Sequence, residues 1–320
     1  MASNYALDFE KPLLELERQI EDLQKLGEER QIEVTEEVRL LQVRLNTLRQ
    51  EIYANLTPIQ RVQVARHPRR PYTLDYLSTI FTDFVELHGD RLFRDDPAIV
   101  GGWARLAGTS VMVIGHQKGR DAKENLKRNF AMAHPEGYRK ALRLMKLAAK
   151  FGAPVITLID TMGAYPGLGA EERGQSEALA RNILEMAALP TPIVAVVIGE
   201  GGSGGALALG TADRVLMFEN SVYSVITPEG CAAILWKDAG QRERAADALK
   251  LTAEDLQRFK LVDEVIQEPL GGAHLDPDAT GEALREALIR HVNELRKIRP
   301  EKLVRRRADK FGAMGAYSEA

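Results

Sequence analysis

Residues 192–210 read PIVAVVIGEGGSGGALALG, an unbroken aliphatic run followed by six glycines among small residues. An apolar run of strand length without alternation suits a strand covered on both faces, as in a sheet layered between helices. The glycines then place strong limits on the turn at the end of that strand. Backbone without Cβ can approach a neighbour or a ligand closely, and free N–H groups at the start of the short helix after it point outward. Such a turn is a place to hold negative charge.

The rest of the chain agrees with this unit. From about 99 to 266, short β-rich segments bounded by Gly and Pro alternate with helical ones, which indicates an α/β domain. Segments 99–106 and 110–115 read as paired strands around a turn at Gly108. Residues 137–151 read as a helix, 155–159 as a buried strand, 171–189 as one long helix and 193–198 as a buried strand. Strands are expected again at 215–218, 222–226 and 262–266. The first 60 residues differ. Leu13, Leu16, Ile20 and Leu23, then Val38, Leu41, Leu45, Leu48 and Ile52, recur at helical spacing, which predicts a hairpin of two amphipathic helices over 1–60. That hairpin packs on its own domain, grips a second subunit, or does both. The stretch HPRRPYTLDY at 67–76 reads as a solvated, extended connector into a core spanning 61–275. A helical, basic tail occupies 276–320, with Arg305, Arg306 and Arg307 expected on a solvated face.

Composition excludes several functions. A formal net charge of −3 over 320 residues gives no bulk attraction for nucleic acid or anionic membrane. Apolar runs stop far short of the roughly 20 residues a membrane helix needs. The opening MASNYALDFEK has neither a basic start nor an apolar run, so no secretory signal is expected and the compartment is cytoplasmic. A single cysteine, Cys231, rules out an internal disulfide or a four-cysteine zinc site, and it reads as a buried small residue. The six histidines never reach metal-ligand spacing, so no metal is expected in this chain.

The glycine cluster satisfies three functional patterns at once, beside the plain reading of a tight turn with close packing. Gly199, Gly201 and Gly204 match GxGxxG, and Glu219 follows about where a ribose-binding acid would sit, although the crossover helix would be short. Gly201, Ser203 and Gly205 match GxSxG, the nucleophile elbow of a serine hydrolase, with Asp263, His274 and His291 following in order. The third pattern uses backbone alone: the N–H groups of Gly204 and Gly205 form an oxyanion hole, at roughly 3 kcal/mol per donor. A second glycine-bearing loop, DTMGAYPG at 160–167, also follows a buried strand. It places Gly163, Ala164 and Tyr165 where they could face the same pocket.

Together with that cluster, the strings GHQKGR (115–120), PEGYRKALRLM (135–145), GAYPG (163–167), AEERGQSEA (170–178), YSVITPEGCAAILWK (223–237) and EPLGGAH (268–274) resemble the carboxyltransferase alpha subunit of multi-subunit acetyl-CoA carboxylase. The resemblance covers nearly the whole chain. It implies a crotonase-like fold of stacked ββα units and an assembly of two alpha with two beta subunits. It implies transfer of a carboxyl group from carboxybiotin, borne on the biotin carboxyl carrier protein, to acetyl-CoA. The product is malonyl-CoA for fatty-acid synthesis, with biotin carboxylase completing the ATP-dependent complex. It implies that Gly204 and Gly205 receive the charge on the biotin ureido oxygen, and that zinc sits on the beta subunit. Gly201, Gly202, Gly163, Ala164 and Tyr165 are then expected around the ring, and Lys118 and Arg120 near a CoA phosphate or a carboxylate. One departure stands out: Met162 occupies a position where the family usually carries proline.

Overall fold

The alternating segments assemble one eight-stranded sheet in the computed structural model, which describes residues 5–315. The chain begins with α1 (Lys11–Arg30), α2 (Thr35–Ala54), α3 (Pro58–Ala65) and α4 (Thr73–Thr79). Then come β1 (Thr82–Glu86), β2 (Ile99–Leu106), β3 (Thr109–His116), α5 (Ala122–Lys127), α6 (Pro135–Lys150), β4 (Val155–Thr161), α7 (Leu168–Glu172), α8 (Gln175–Ala188), β5 (Ile193–Gly202) and α9 (Ser203–Leu207). The remainder runs β6 (Arg214–Phe218), β7 (Val222–Ser224), α10 (Pro228–Trp236), α11 (Arg242–Leu249), α12 (Ala253–Arg258), β8 (Glu264–Ile266), α13 (Pro277–Leu295) and α14 (Pro300–Gly312).

Strands β1, β2 and β3 are antiparallel, whereas β3, β4, β5, β6 and β8 follow one another in parallel. Ala107 and Gly108 both take positive φ, the geometry that a tight two-residue hairpin needs between β2 and β3. Strand β5 is buried along its whole length. Its Ile193, Ala195 and Val197 pack with Leu144 and Met145 of α6 and Met186 of α8. On the other face Val194, Val196 and Ile198 meet Tyr76 of α4 and Leu284 and Leu288 of α13. Burying each such aliphatic side chain contributes about 1.5–3 kcal/mol, so the strand that carries the glycines is held by the two largest apolar layers.

The two N-terminal stripes do meet: all nine predicted apolar positions of α1 and α2 fall in one cluster. Tyr53 donates to Glu10 at 2.6 Å, and Arg49 to Glu17 at 2.6 Å, closing the hairpin. Burial works to raise the Glu10 carboxyl, but the His274 ring 3.6 Å away and hydrogen bonds from Tyr53 and the Leu7 amide hold its pKa at about 2.

Four expectations need correction. The helix expected at 171–189 is two helices, because Gly174 takes φ +80° and breaks the hydrogen-bond ladder. The strand expected at 222–226 ends at Ser224. The connector at 67–76 is not solvated: Arg70 is 1% exposed, forks onto Glu268 at 2.5 and 3.0 Å and donates to the Ile198 carbonyl at 2.7 Å. The basic tail is two helices divided before Pro300, which cannot continue a preceding helix. Arg305 and Arg306 face solvent, but Arg307 is buried on Asp213 at 2.7 Å and on the carbonyls of Leu189 and Thr191.

Candidate active site

Adjacent parallel strands β4 and β5 end side by side, and their two glycine loops form the floor of one cleft. The pairing slips between Ile159 and Thr161, so that Thr161 lies opposite Gly201. Beyond this point the loops touch at backbone distance. A Cβ on Gly202 would stand 2.0 Å from the Met162 carbonyl oxygen, and one on Gly205 2.6 Å from the Ala164 nitrogen. Only glycine allows this approach. The open space above measures about 420 Å³, with Ala164, Tyr165, Ser203, Gly204, Ile226 and Thr227 among its lining.

The loop after β4 is well anchored on either side of Met162. The Thr161 hydroxyl donates to the Gly163 carbonyl at 2.7 Å and accepts from the Gly163 amide at 3.1 Å. Tyr165 is held at both backbone ends. Its N–H donates to the Ala133 carbonyl at 3.0 Å, and its carbonyl accepts from Gln175 at 2.9 Å. The His134 ring lies 4.3 Å from the Tyr165 ring.

After β5 the chain turns through Ser203 at φ +54° into α9. The first amides of a helix have no carbonyl in a preceding turn. The N–H groups of Gly204 and Gly205 are among these first-turn amides. Gly204 borders the cleft, and Gly205 is buried against Gly163 and Ala164. Gly201 and Gly202 are buried in β5, where Gly201 packs on Tyr223.

The nucleophile-elbow partners do not assemble around Ser203. Among the described residues no hydrogen bond joins Ser203 to an imidazole. His274 stacks on His67 at 3.9 Å, His291 bonds Glu264 at 2.7 Å, and Asp263 accepts from the Val215 amide at 2.6 Å while pairing with Lys310. The dinucleotide pattern fails for a related reason. Helix α9 has five residues, Gly199 packs against the Asp160 carboxylate, and Glu219 accepts from the Glu268 amide.

Lys118 and Arg120 do not line the cleft. Lys118 is no solvated turn residue: it is drawn inward onto Asp160 at 2.6 Å, and burial of its ammonium is outweighed by Asp160 and Glu200, which keep its pKa raised. Arg120 pairs with Asp75, donates to the Pro68 and Arg70 carbonyls and lies 3.9 Å over the Tyr72 ring. It ties the connector to the β3 loop. Cys231 is buried in α10 as expected.

Sequence reasoning missed Arg66, Glu200 and Glu229. Arg66 forks onto Glu200 at 2.7 and 2.9 Å and reaches Glu229 at 2.9 Å. The only signal was position: Glu200 interrupts the glycine cluster, and Glu229 is the middle residue of PEG at the start of α10.

Known proteins share this architecture and this sequence. A family described as acetyl co-enzyme A carboxylase carboxyltransferase-like matches residues 6–315. The acetyl-coenzyme A carboxylase carboxyl transferase subunit alpha of Gemmatimonas aurantiaca is 65% identical across 100% of both chains. That of Geobacter metallireducens is 59% identical, again across 100% of both. Among solved structures, transcarboxylase 12S with methylmalonyl-coenzyme A and methylmalonic acid bound is similar at a TM-score of 0.55 and 20% identity. The match covers 70% of this chain and 42% of that one, and the shared architecture is the crotonase-like fold.

Proposed function

The chain belongs to the acetyl-coenzyme A carboxylase carboxyltransferase family as an alpha subunit, and we propose that its glycine-floored cleft serves the biotin side of the transfer. With a beta subunit it passes the carboxyl group of carboxybiotin to acetyl-CoA, giving malonyl-CoA for fatty-acid synthesis. The observation that carries the site assignment is the pair of first-turn amides at Gly204 and Gly205, set where two glycine loops meet.

Carboxybiotin supplies the carboxyl group and a ureido oxygen on which negative charge gathers as that group departs. The Gly204 and Gly205 N–H groups hold that charge, and such donors contribute roughly 3 kcal/mol each when fixed in advance. They are fixed here by Gly202 and Gly163, which let the loops close on each other. Ala164 and Tyr165 flank the ring and keep water from one side of it. Lys118 and Arg120 act from outside the cleft, through Asp160 and the connector, rather than as ligands of a phosphate.

We place the chain in an assembly of two alpha and two beta subunits in the cytoplasm, with zinc on the beta subunit. The biotin carboxyl carrier protein delivers the substrate, and biotin carboxylase supplies it upstream. The full membership match and the strand-end position of the cleft support this reading. Its test is reconstitution of the full chain with a beta subunit, a carboxybiotin donor and acetyl-CoA. Malonyl-CoA is expected only when all are present. Ester hydrolysis by this chain alone, with labelling of Ser203 by a serine-directed probe, would replace the reading with a hydrolase.

A further inference from the structure

One arginine joins the floor of the cleft to its far wall. Arg66 ends α3, away from both glycine loops in sequence. Its guanidinium Nε and one terminal nitrogen grip Glu200, whose side chain is 5% exposed and which directly precedes Gly201 and Gly202. The other terminal nitrogen bonds Glu229 at 2.9 Å. Glu229 lies in the first turn of α10, whose N-cap is Thr227; Ile226 and Thr227 line the same cleft as the glycine loops.

That wall has few other anchors to the sheet. Strand β7 pairs with β5 at Val222, Tyr223 and Ser224, and the ladder ends there. Helix α10 packs through Cys231 and Ala232 on Ala245 of α11, not on a strand. The floor is braced from its other side, because Asp160 accepts from the Glu200 amide at 2.9 Å while holding Lys118. Glu200 is therefore fixed, and Arg66 transmits that fixed position to Glu229.

We infer that Arg66 is a positioning residue that sets the width of the cleft by clamping Glu200 under the floor and Glu229 behind the wall. The planar fork of arginine can serve two carboxylates in one plane, which the single ammonium of lysine cannot. The inference rests on the carboxyltransferase reading above. It assigns the biotin-side fit of that site to residues that touch no substrate. Loosening the clamp widens the slot that the ring enters and leaves the CoA side alone.

The test uses the reconstituted complex with malonyl-CoA as donor and free biotin as acceptor, so that acetyl-CoA and carboxybiotin form together. Glu229→Gln keeps the buried Arg66–Glu200 pair and removes only the charge on the wall. Its KM for biotin is expected to rise about tenfold, the equivalent of about 1.4 kcal/mol of lost fit. Its KM for malonyl-CoA is expected to stay within about twofold, the pattern of lost ground-state fit at one substrate. Glu229→Asp, which retains the charge, is expected to recover part of the loss. In the same variant, hydrogen exchange at amides 225–231 of the chain is expected to quicken while 193–198 stay protected. Arg66→Lys should raise the KM for biotin likewise; if it fails to fold, Glu229→Gln still decides the matter. Unchanged biotin KM and unchanged exchange at 225–231 in Glu229→Gln overturn the clamp. An equal rise for both substrates overturns it too. Failure of the unmodified complex to carboxylate biotin sinks the carboxyltransferase reading and this inference with it.

Discussion

A methyl group on Gly202 would lie 2.0 Å from the carbonyl oxygen of Met162, and 2.3 Å from its carbonyl carbon. Both obstacles are backbone, so no side chain can rotate away to make room. Gly202→Ala must push the loop after β4 away from β5, and with it Gly163, Ala164 and Tyr165. Overpacking of this kind costs about 1–3 kcal/mol in stability. The expected result is a folded chain with a modestly lower Tm and a kcat at least about 100-fold lower in the reconstituted complex, comparable to losing one oxyanion donor. A Gly202→Ala complex with near-normal kcat would show that the contact between the loops does not shape the site.

Ser203 borders the same cleft but answers differently. Its backbone sits at φ +54°, a region that costs an L-residue roughly 1–2 kcal/mol. Ser203→Ala keeps that backbone and removes only the hydroxyl, so activity in the complex should stay within about threefold, the small effect of an exposed substitution. Ser203→Gly should raise stability by up to about 1 kcal/mol by relieving the strain. Both are read by kcat and by urea denaturation. Near-complete loss in Ser203→Ala would restore the nucleophile that the positions of His274 and His291 argue against.

The contrast between Gly202 and Arg70 explains what the sequence could reveal. Glycine density, an unbroken aliphatic run and a helical stripe are local signals, and they located β5, the cleft floor and the hairpin. The β2–β3 turn was legible for the same reason, since its positive-φ residues are adjacent in sequence. Arginines carry no such signal. A long charged side chain is exposed by default, and what buries Arg70, Arg307 and Lys118 is an acid far along the chain. Arg70 meets Glu268 across 198 positions, and Arg66 meets Glu200 across 134. Pairing at that range is a property of the fold, so the connector and tail read as solvated until the sheet brought their partners to them. Gly174 was visible as a glycine, but nothing local marked it as left-handed within a helical pattern.

The Arg70–Glu268 pair is expected to behave as a buried pair does. Burial pushes the Glu268 carboxyl up, and Arg70 outweighs it and holds the pKa below the usual range. Glu268 also accepts from the Asn220 and Ala273 amides, so it remains in place when Arg70 is lost. Arg70→Met should therefore leave an uncompensated charge and destabilise the chain by about 3–5 kcal/mol. Adding Glu268→Leu should recover only part of this, because two amides then lose their acceptor. Urea midpoints of the single and double variants measure both effects. A single variant within about 1 kcal/mol of the parent would mean the pair is hydrated, as surface pairs are.

Buried imidazoles set the acid side of stability. His116 ends β3 with both ring nitrogens buried and, among the described residues, unpartnered; burial first, then the Lys118 charge, lowers its pKa to about 3. His67 is lowered to about 4 by burial and by His274, against a small opposing pull from the Tyr5 carbonyl. In the unfolded chain each ring takes a proton near its ordinary 6.5. Between that value and the folded pKa the unfolded state binds more protons, so acid favours unfolding. Stability should be level between about pH 7 and 9 and fall as pH drops below 6.5, each ring contributing a slope of about 1.4 kcal/mol per pH unit. The carboxylates, led by Glu10 at about 2, add their own loss only below their unfolded value of 4.5. Between about pH 6.5 and 5 the histidines therefore dominate. His116→Phe should remove one proton's worth of that slope, measured by urea unfolding across the window. An unaltered slope in His116→Phe would mean that His116 already carries its proton in the folded chain.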